Sequence, residues 1–179
     1  LEHANTPAMD RLASLGVLGL CFPIPKGLAP GSDIGNLSLF GYNPRTVFTG
    51  RAPLEAARQG IQLTEDQVAF RCNLVTLENG AMRDFTADHI STEEATELLA
   101  TLNATLGGDG IRFYPGVSYR HLAVLTASDY SVEALAALAT TPPHDITDKP
   151  YAPHLPSGEA QAPIRSLMDQ SQPFSATIR

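Results

Sequence analysis

Apolar and polar positions alternate along this chain with two distinct periods. Met9, Leu12 and Ala13 recur at helical spacing behind Thr6-Pro7, an N-cap with proline at the first helical position, and Gly16 is the stop. The unbroken apolar run "VLGLC" (17–21) has the pattern of a short buried strand. Residues 22–31, "FPIPKGLAPG", hold three prolines and two glycines, so they can form neither a helix nor a central strand. They deliver Ser32, behind which Ile34, Leu37 and Phe40 recur every third residue until Gly41. A further helix is predicted in "TGRAPLEAARQG" (49–60), with Pro53 near its start and Gly60 at its end.

From residue 67 the period changes to two. In "QVAFRCNLVTL" Val68, Phe70, Cys72 and Leu74 share one face, while Arg71 and Asn73 lie on the other. Glu78-Asn79-Gly80 supplies hairpin turn chemistry, and "AMRDF" returns as the partner strand. Ser91-Thr92-Glu93-Glu94 is a capping box in front of a helix lined by Ala95, Leu98, Leu99 and Leu102. "GIRFY", a Pro115-Gly116 turn and "SYRHLAVLTA" form a second hairpin, and Ser131 opens the helix "VEALAALA". Residues 67–139 thus run β-β-α-β-β-α, predicting one antiparallel sheet with two helices on one face. Residues 141–163 carry six prolines and form a connector, and "PIRSLMDQS" (163–171) a closing helix.

Composition narrows the function. A hydrophobic fraction of 43% and a charged fraction of 17% over 179 residues suit a globular domain with its own core. The net charge of −7 argues against a nucleic-acid surface, which needs clustered Lys and Arg. No run is long and apolar enough for a membrane span and none has the pattern of a signal peptide, which predicts a cytoplasmic protein. Only Lys26 precedes Lys149, so positive charge is nearly all arginine, the better residue for gripping carboxylate and phosphate. Cys21 and Cys72 each lie in an apolar run and are expected as small buried thiols. Leu rather than Met at position 1, with a helix start almost at once, predicts a piece of a longer protein.

Ser32 has two readings at this point. As an N-cap it accepts a hydrogen bond from a first-turn amide. As a nucleophile it sits among unpaired N–H groups at the positive end of a helix dipole, where phosphate binds. Spacing does not choose between them. Arg51, in a loop just before a helix, is well placed for an anion; Arg71 is expected to snorkel at the sheet edge, and Arg83 to pair with Asp84 on a hairpin. His121 on a strand is more often structural than catalytic. His144, Asp145 and Asp148 crowd one loop, explained as well by turn capping as by metal binding. The histidines show no metal spacing.

Six stretches in order carry a resemblance: "ANTPAMDRLASLGVLGL", "PGSDIGNLSLFGYNP", "TGRAPLEAARQGI", "VAFRCNLVTLENG", "HISTEEA" and "PPHDITDKP". They resemble the archaeal-type 2,3-bisphosphoglycerate-independent phosphoglycerate mutases of the alkaline phosphatase superfamily, over nearly the whole chain. The resemblance implies an isomerase that interconverts 3-phosphoglycerate and 2-phosphoglycerate through a phosphoserine. Its nucleophile and metal-bound hydroxyl would be Ser32. Two divalent metal ions, manganese or magnesium, would activate it, and the substrate would be a small phosphorylated carboxylic acid. Arg51 matches the G-R-G/A motif, Asp84 the acidic residue after the hairpin, and Arg120 and His121 the stretch that usually reads GHR or YRH. Where family members tend to read D-R-R-A-G-R-I, this chain has Asp84-Phe85-Thr86-Ala87-Asp88-His89-Ile90, and His89 would replace one of the lost arginines.

The resemblance also divides the chain. Residues 1–48 would be part of an alkaline-phosphatase-like α/β core, 49–141 an inserted α+β lid domain, and 142–179 a return connector with a closing helix. The family's other metal ligands would fall before residue 1 and after residue 179, so the chain alone would be inactive and hold no metal tightly. Two alternatives remain open. One is a related enzyme of the same fold, phosphonopyruvate-decarboxylase-like or homoserine-kinase-like. The other is a non-catalytic binding or dimerisation module with Ser32 only a cap. Sheet neighbours missing from a piece of the fold would leave an open strand edge and exposed apolar surface, from which self-association of the chain follows as an expectation.

Overall fold

The computed structural model describes residues 3–108 and 110–175, the side chains of 173–175 excepted. The terminal "PFSATIR" lies largely outside the described residues. The chain divides into two units, Leu1–Thr49 and Gly50–Arg179, of mixed α/β character. Among the described residues no helix is long and apolar enough to cross a membrane.

The first unit holds three helices, α1 (Pro7–Leu15), α2 (Ser32–Leu39) and α3 (Pro44–Val47). Pro7 stands at the first helical position of α1 and Gly16 at its C-cap, as the sequence predicts. The apolar stripe of α1 is exposed: Met9 and Leu12 are 68% and 73% exposed, and no α1 residue is buried. Residues 17–21 do not form the expected strand. Val17, Leu18 and Leu20 are exposed, because an apolar run becomes a strand only where another strand supplies a hydrogen-bonding ladder. Cys21 is exposed, which corrects its reading as a buried thiol. What order the unit has comes from Ile34 and Pro44, both buried, from Asn43 Oδ1 accepting the Arg45 amide, and from the Arg45 guanidinium donating to the Lys26 carbonyl.

The second unit begins with α4 (Arg51–Arg58) and continues with β1 (Gln67–Asn73), β2 (Thr76–Glu78), β3 (Ala81–Asp84), α5 (Thr92–Thr105), β4 (Ile111–Val117), β5 (Arg120–Thr126), α6 (Val132–Ala136) and α7 (Gln161–Ser175). The predicted order holds, but the single sheet does not. β1, β5 and β4 form one antiparallel sheet in that order, and β2 with β3 forms a separate hairpin. The expected strand 67–77 breaks after Asn73, and the Leu74 amide turns to the Tyr119 carbonyl. Besides β2, β3 pairs with the 142–150 loop: the Met82 amide donates to the Lys149 carbonyl (3.0 Å) and the Asp148 amide to the Met82 carbonyl (2.8 Å). The β2–β3 turn is as predicted, with Asn79 and Gly80 at φ 51° and 76°.

Helices cover both faces of the three-stranded sheet, not one. Phe113, Ala123 and Leu125 pack with Leu99 and Leu102 of α5, Leu135 of α6 and Ile164 of α7. On the other face Ala69, Leu122 and Val124 pack with Ala52 and Ala56 of α4. Strand alternation explains the division, since neighbouring positions on β5 point to opposite layers. Arg71, expected at the sheet edge, pairs with Glu55 of α4 at 3.1 Å. Residues 142–175 belong to this unit and supply Ile146, Ala160 and Ile164 to its buried residues.

Candidate functional site

In the first unit the site is built on one residue. Gly31, with extended backbone, is the N-cap of α2, and Ser32 is the first helical residue. Ser32 is exposed and stands one residue after the N-cap, so the cap reading loses its position. Asp33 Oδ1 accepts the Ile34 amide at 3.0 Å. The hydroxyl therefore stands beside the first-turn amides of an eight-residue helix, at the positive end of its dipole.

In the second unit, Asp84 and His89 flank the turn after β3, and Arg120 and His121 open β5. Asp84 closes β3, and its carboxylate accepts the Thr86 amide (2.8 Å), the Thr86 hydroxyl (2.8 and 2.9 Å) and the Asp88 amide (2.7 Å). Burial pushes this carboxyl up, but those hydrogen bonds and the nearby His89 outweigh it and hold it below the usual aspartate range. The turn it closes carries Ala87, Asp88 and His89 at φ 50°, 57° and 56°, three consecutive left-handed residues without a glycine. His89 ends exposed.

Arg120 begins β5 exposed, its guanidinium 5.4 Å from the Tyr119 ring centre. His121 is 1% exposed. Its Nδ1 accepts the Gly116 amide at 3.0 Å, and its Nε2 is buried without a hydrogen-bond partner. Burial lowers its pKa to about 4, against a weaker upward pull from the Ser118 backbone, so the imidazole is neutral with the proton on Nε2. His121 consequently lies behind the surface that Arg120 faces. Ser118 joins the two turns: its hydroxyl donates to the Ile90 carbonyl (2.8 Å), and its amide donates to Thr92 Oγ1 (3.1 Å). Phe85 meets Tyr119 edge-on at 5.9 Å.

Arg51 opens α4 behind Gly50, whose φ of 130° suits glycine alone. The residue is exposed, at the first position of the helix. Arg83 does not pair with Asp84 as expected. It reaches Asp148 at 2.5 Å and Glu78 at 3.8 Å, because Asp84 is engaged by its own turn. His144 lies 3.4 Å from Asp145, while Asp148 turns to Arg83, so the crowded loop is tied to β3. Thr86 and Ser118 escaped the sequence reading. Asp-x-Thr after a strand is a side-chain turn signal that would have found the first; the left-handed Ser118 carries no such mark.

Metal-dependence is general in the family this chain resembles, and the fit can be tested on its donors. Among the described residues no three His, Cys, Asp or Glu side chains converge on one point. The Ser32 oxygen is thus not accompanied by a donor set of this chain's own described residues, and a metal pair does not fit on these residues alone.

Comparison with solved structures places the fold. The cofactor-independent phosphoglycerate mutase from Thermoplasma acidophilum matches with a TM-score of 0.59 at 23% identity, over 85% of this chain and 41% of that one. The PH0037 protein from Pyrococcus horikoshii matches with a TM-score of 0.52 at 35% identity, over 70% and 31%. Sequence goes further. Residues 13–177 match the family model for 2,3-bisphosphoglycerate-independent phosphoglycerate mutase. The protein of that name from Methanosarcina acetivorans is 49% identical over 96% of this chain and 42% of its own length. A probable one from Geobacter sulfurreducens is 44% identical over 96% and 43%. The chain belongs to the 2,3-bisphosphoglycerate-independent phosphoglycerate mutase family, and it spans about two fifths of the length of these relatives.

Proposed function

We propose that this chain carries the phosphoryl-accepting serine and the substrate-gripping cations of an enzyme that interconverts 3-phosphoglycerate and 2-phosphoglycerate. The observation that carries this reading is Ser32 itself. In a chain of this family, it is exposed and opens a helix as its first residue. Ser32 Oγ attacks phosphorus in line, the bond from phosphorus to the C3 oxygen breaks, and the serine proton ends on that oxygen. The reoriented glycerate then attacks the phosphoserine through its C2 hydroxyl, and the proton returns to Ser32. Charge and atoms balance over both transfers. First-turn amides of α2 stabilise the charge on the phosphoryl oxygens.

Arg51, His89 and Arg120, all exposed, are the groups proposed to meet the substrate's carboxylate and phosphate. Asp84 and His121 are proposed to act behind them, since one is occupied by its own turn and the other is buried. When bound, two divalent cations, manganese or magnesium, would supply charge neutralisation and a more acidic serine, with most of their ligands outside the described residues. A small anionic substrate fits a cytoplasmic setting.

Ser32→Ala in the native full-length protein tests the assignment. Because Ser32 is exposed and is not the N-cap, stability should change by less than about 0.5 kcal/mol, while turnover should fall by about 10⁴-fold or more. Parallel assays with 3-phosphoglycerate, phosphonopyruvate, and homoserine with ATP separate the substrate readings. Normal mutase turnover in the alanine variant would end the phosphoserine reading.

A further inference from the structure

Building on the phosphoglycerate mutase reading, we propose that Thr86 is a positioning residue whose buried hydroxyl fixes His89, and through the same frame Arg120, toward the substrate. Thr86 is 7% exposed, so it cannot itself meet a ligand. Its hydroxyl nonetheless has both of its capacities in use. It donates to the Asp84 carboxylate at 2.8 and 2.9 Å, and it accepts the His89 amide at 3.2 Å. The Thr86 amide holds the same carboxylate at 2.8 Å, and the Asp88 amide holds its second oxygen at 2.7 Å.

These bonds explain the backbone that they enclose. Three successive non-glycine residues in the left-handed region persist only where their surroundings over-determine them. Here the determinants are one carboxylate and one hydroxyl, and the residue at the end of the strained run is the exposed His89. The next residue, Ile90, is buried, and its carbonyl accepts the Ser118 hydroxyl at 2.8 Å. Ser118 sits in the β4–β5 turn with Tyr119, whose ring meets Phe85 at 5.9 Å and lies under the Arg120 guanidinium. Two candidate substrate-binding side chains, His89 and Arg120, are therefore mounted on one hydrogen-bonded frame, and Thr86 is its buried pin. An acidic side chain used in this way does not face the anionic substrate, which resolves why Asp84 stands among groups meant to bind an anion.

The test uses the native full-length protein with 3-phosphoglycerate. Thr86→Val, which keeps the shape and removes the hydroxyl, should raise KM by about tenfold and leave kcat within about threefold. Thr86→Ser, which restores the hydroxyl, should return KM to within about twofold of the parent. If Thr86 acts through His89, adding Thr86→Val to His89→Ala should raise KM by less than about twofold more. Amide hydrogen exchange at Asp88 and His89 should quicken in Thr86→Val. An unchanged KM in Thr86→Val, or its full effect recurring in the His89→Ala background, overturns the proposal. Should the valine variant not fold, Thr86→Ala takes its place with the same exchange readout; faster exchange with unchanged KM then overturns it. Ser32→Ala, assayed beside these, keeps the two readings apart. Turnover surviving there defeats the phosphoserine assignment alone, whereas a flat KM with an inactive Ser32→Ala defeats only the role of Thr86.

Discussion

His121 pairs with Cys72 across β5 and β1, and burial holds both side chains in their uncharged forms. The imidazole is pushed down to about 4 and the thiol, half-buried, up to about 11. Each shift fixes a sign. The unfolded chain protonates His121 near its ordinary value of 6.5, the folded chain only near 4, so stability is full above 6.5 and falls as pH drops toward 4. The loss over that window is roughly 3 kcal/mol. Cys72 acts on the alkaline side, where stability is present below about 9 and lost as pH rises toward 11. His121→Asn keeps an acceptor near the Nδ1 position for the Gly116 amide and removes the titration. Urea unfolding between pH 4 and 8 should show a steep acid slope in the parent and a shallower one in the variant. Equal slopes would mean that His121 is not the group responsible. Asp84 adds a separate acid sensitivity lower down, because its carboxyl is held below its ordinary value and its bonds are lost as pH falls through that value.

At the scale of elements, the β4–β5 hairpin shows what local pattern can and cannot specify. Pro115-Gly116 has turn chemistry, yet it lies within β4 at a register shift between Tyr114 and Val117, and the chain turns at Ser118-Tyr119. The reason is a close approach: a Cβ on Gly116 would stand 2.1 Å from the Arg120 carbonyl oxygen. Gly116→Ala must therefore open the bulge and withdraw the amide that His121 accepts, at a cost of about 2–4 kcal/mol. Thermal or urea melting measures this, and a loss under 1 kcal/mol would show that the bulge relaxes freely. Elements written in local chemistry were legible beforehand. Ser91 and Glu94 form the reciprocal capping box of α5, and Asn79-Gly80 makes its two-residue turn. Partner choice was not legible, because the ladder between β1 and β5 and the strap from 142–150 onto β3 join residues about fifty or more apart by contacts that periodicity does not record. The site divides likewise. Ser32, Arg51 and His89 became candidates through the family motifs, whereas the engagement of Asp84 by its own turn became visible only in the structure.

At the scale of the whole molecule the two units differ in how their apolar residues are satisfied. The second encloses two clusters, one on each face of its sheet, with Ala56, Leu99 and Leu122 at 1% exposure or less. The first buries Ile34 among its large apolar side chains and leaves Met9, Leu12, Leu15, Val17, Leu18, Leu20 and Phe22 exposed along a single stretch. An exposed apolar stretch of that kind favours association. The 179-residue chain in isolation should consequently self-associate, and more strongly as salt rises, since burial of apolar area drives the contact and screening relieves the repulsion of seven net negative charges. Residues 50–175 alone should remain monomeric with a cooperative melt. Sedimentation velocity across a tenfold range of concentration distinguishes the two. A monomeric full chain would show that the 9–22 stretch is covered intramolecularly, and association of residues 50–175 would move the adhesive surface to the second unit. Replacing Leu18 and Leu20 with serine completes the comparison: weakened association with an unchanged melt of the second unit assigns the surface to the run that was expected to be a strand.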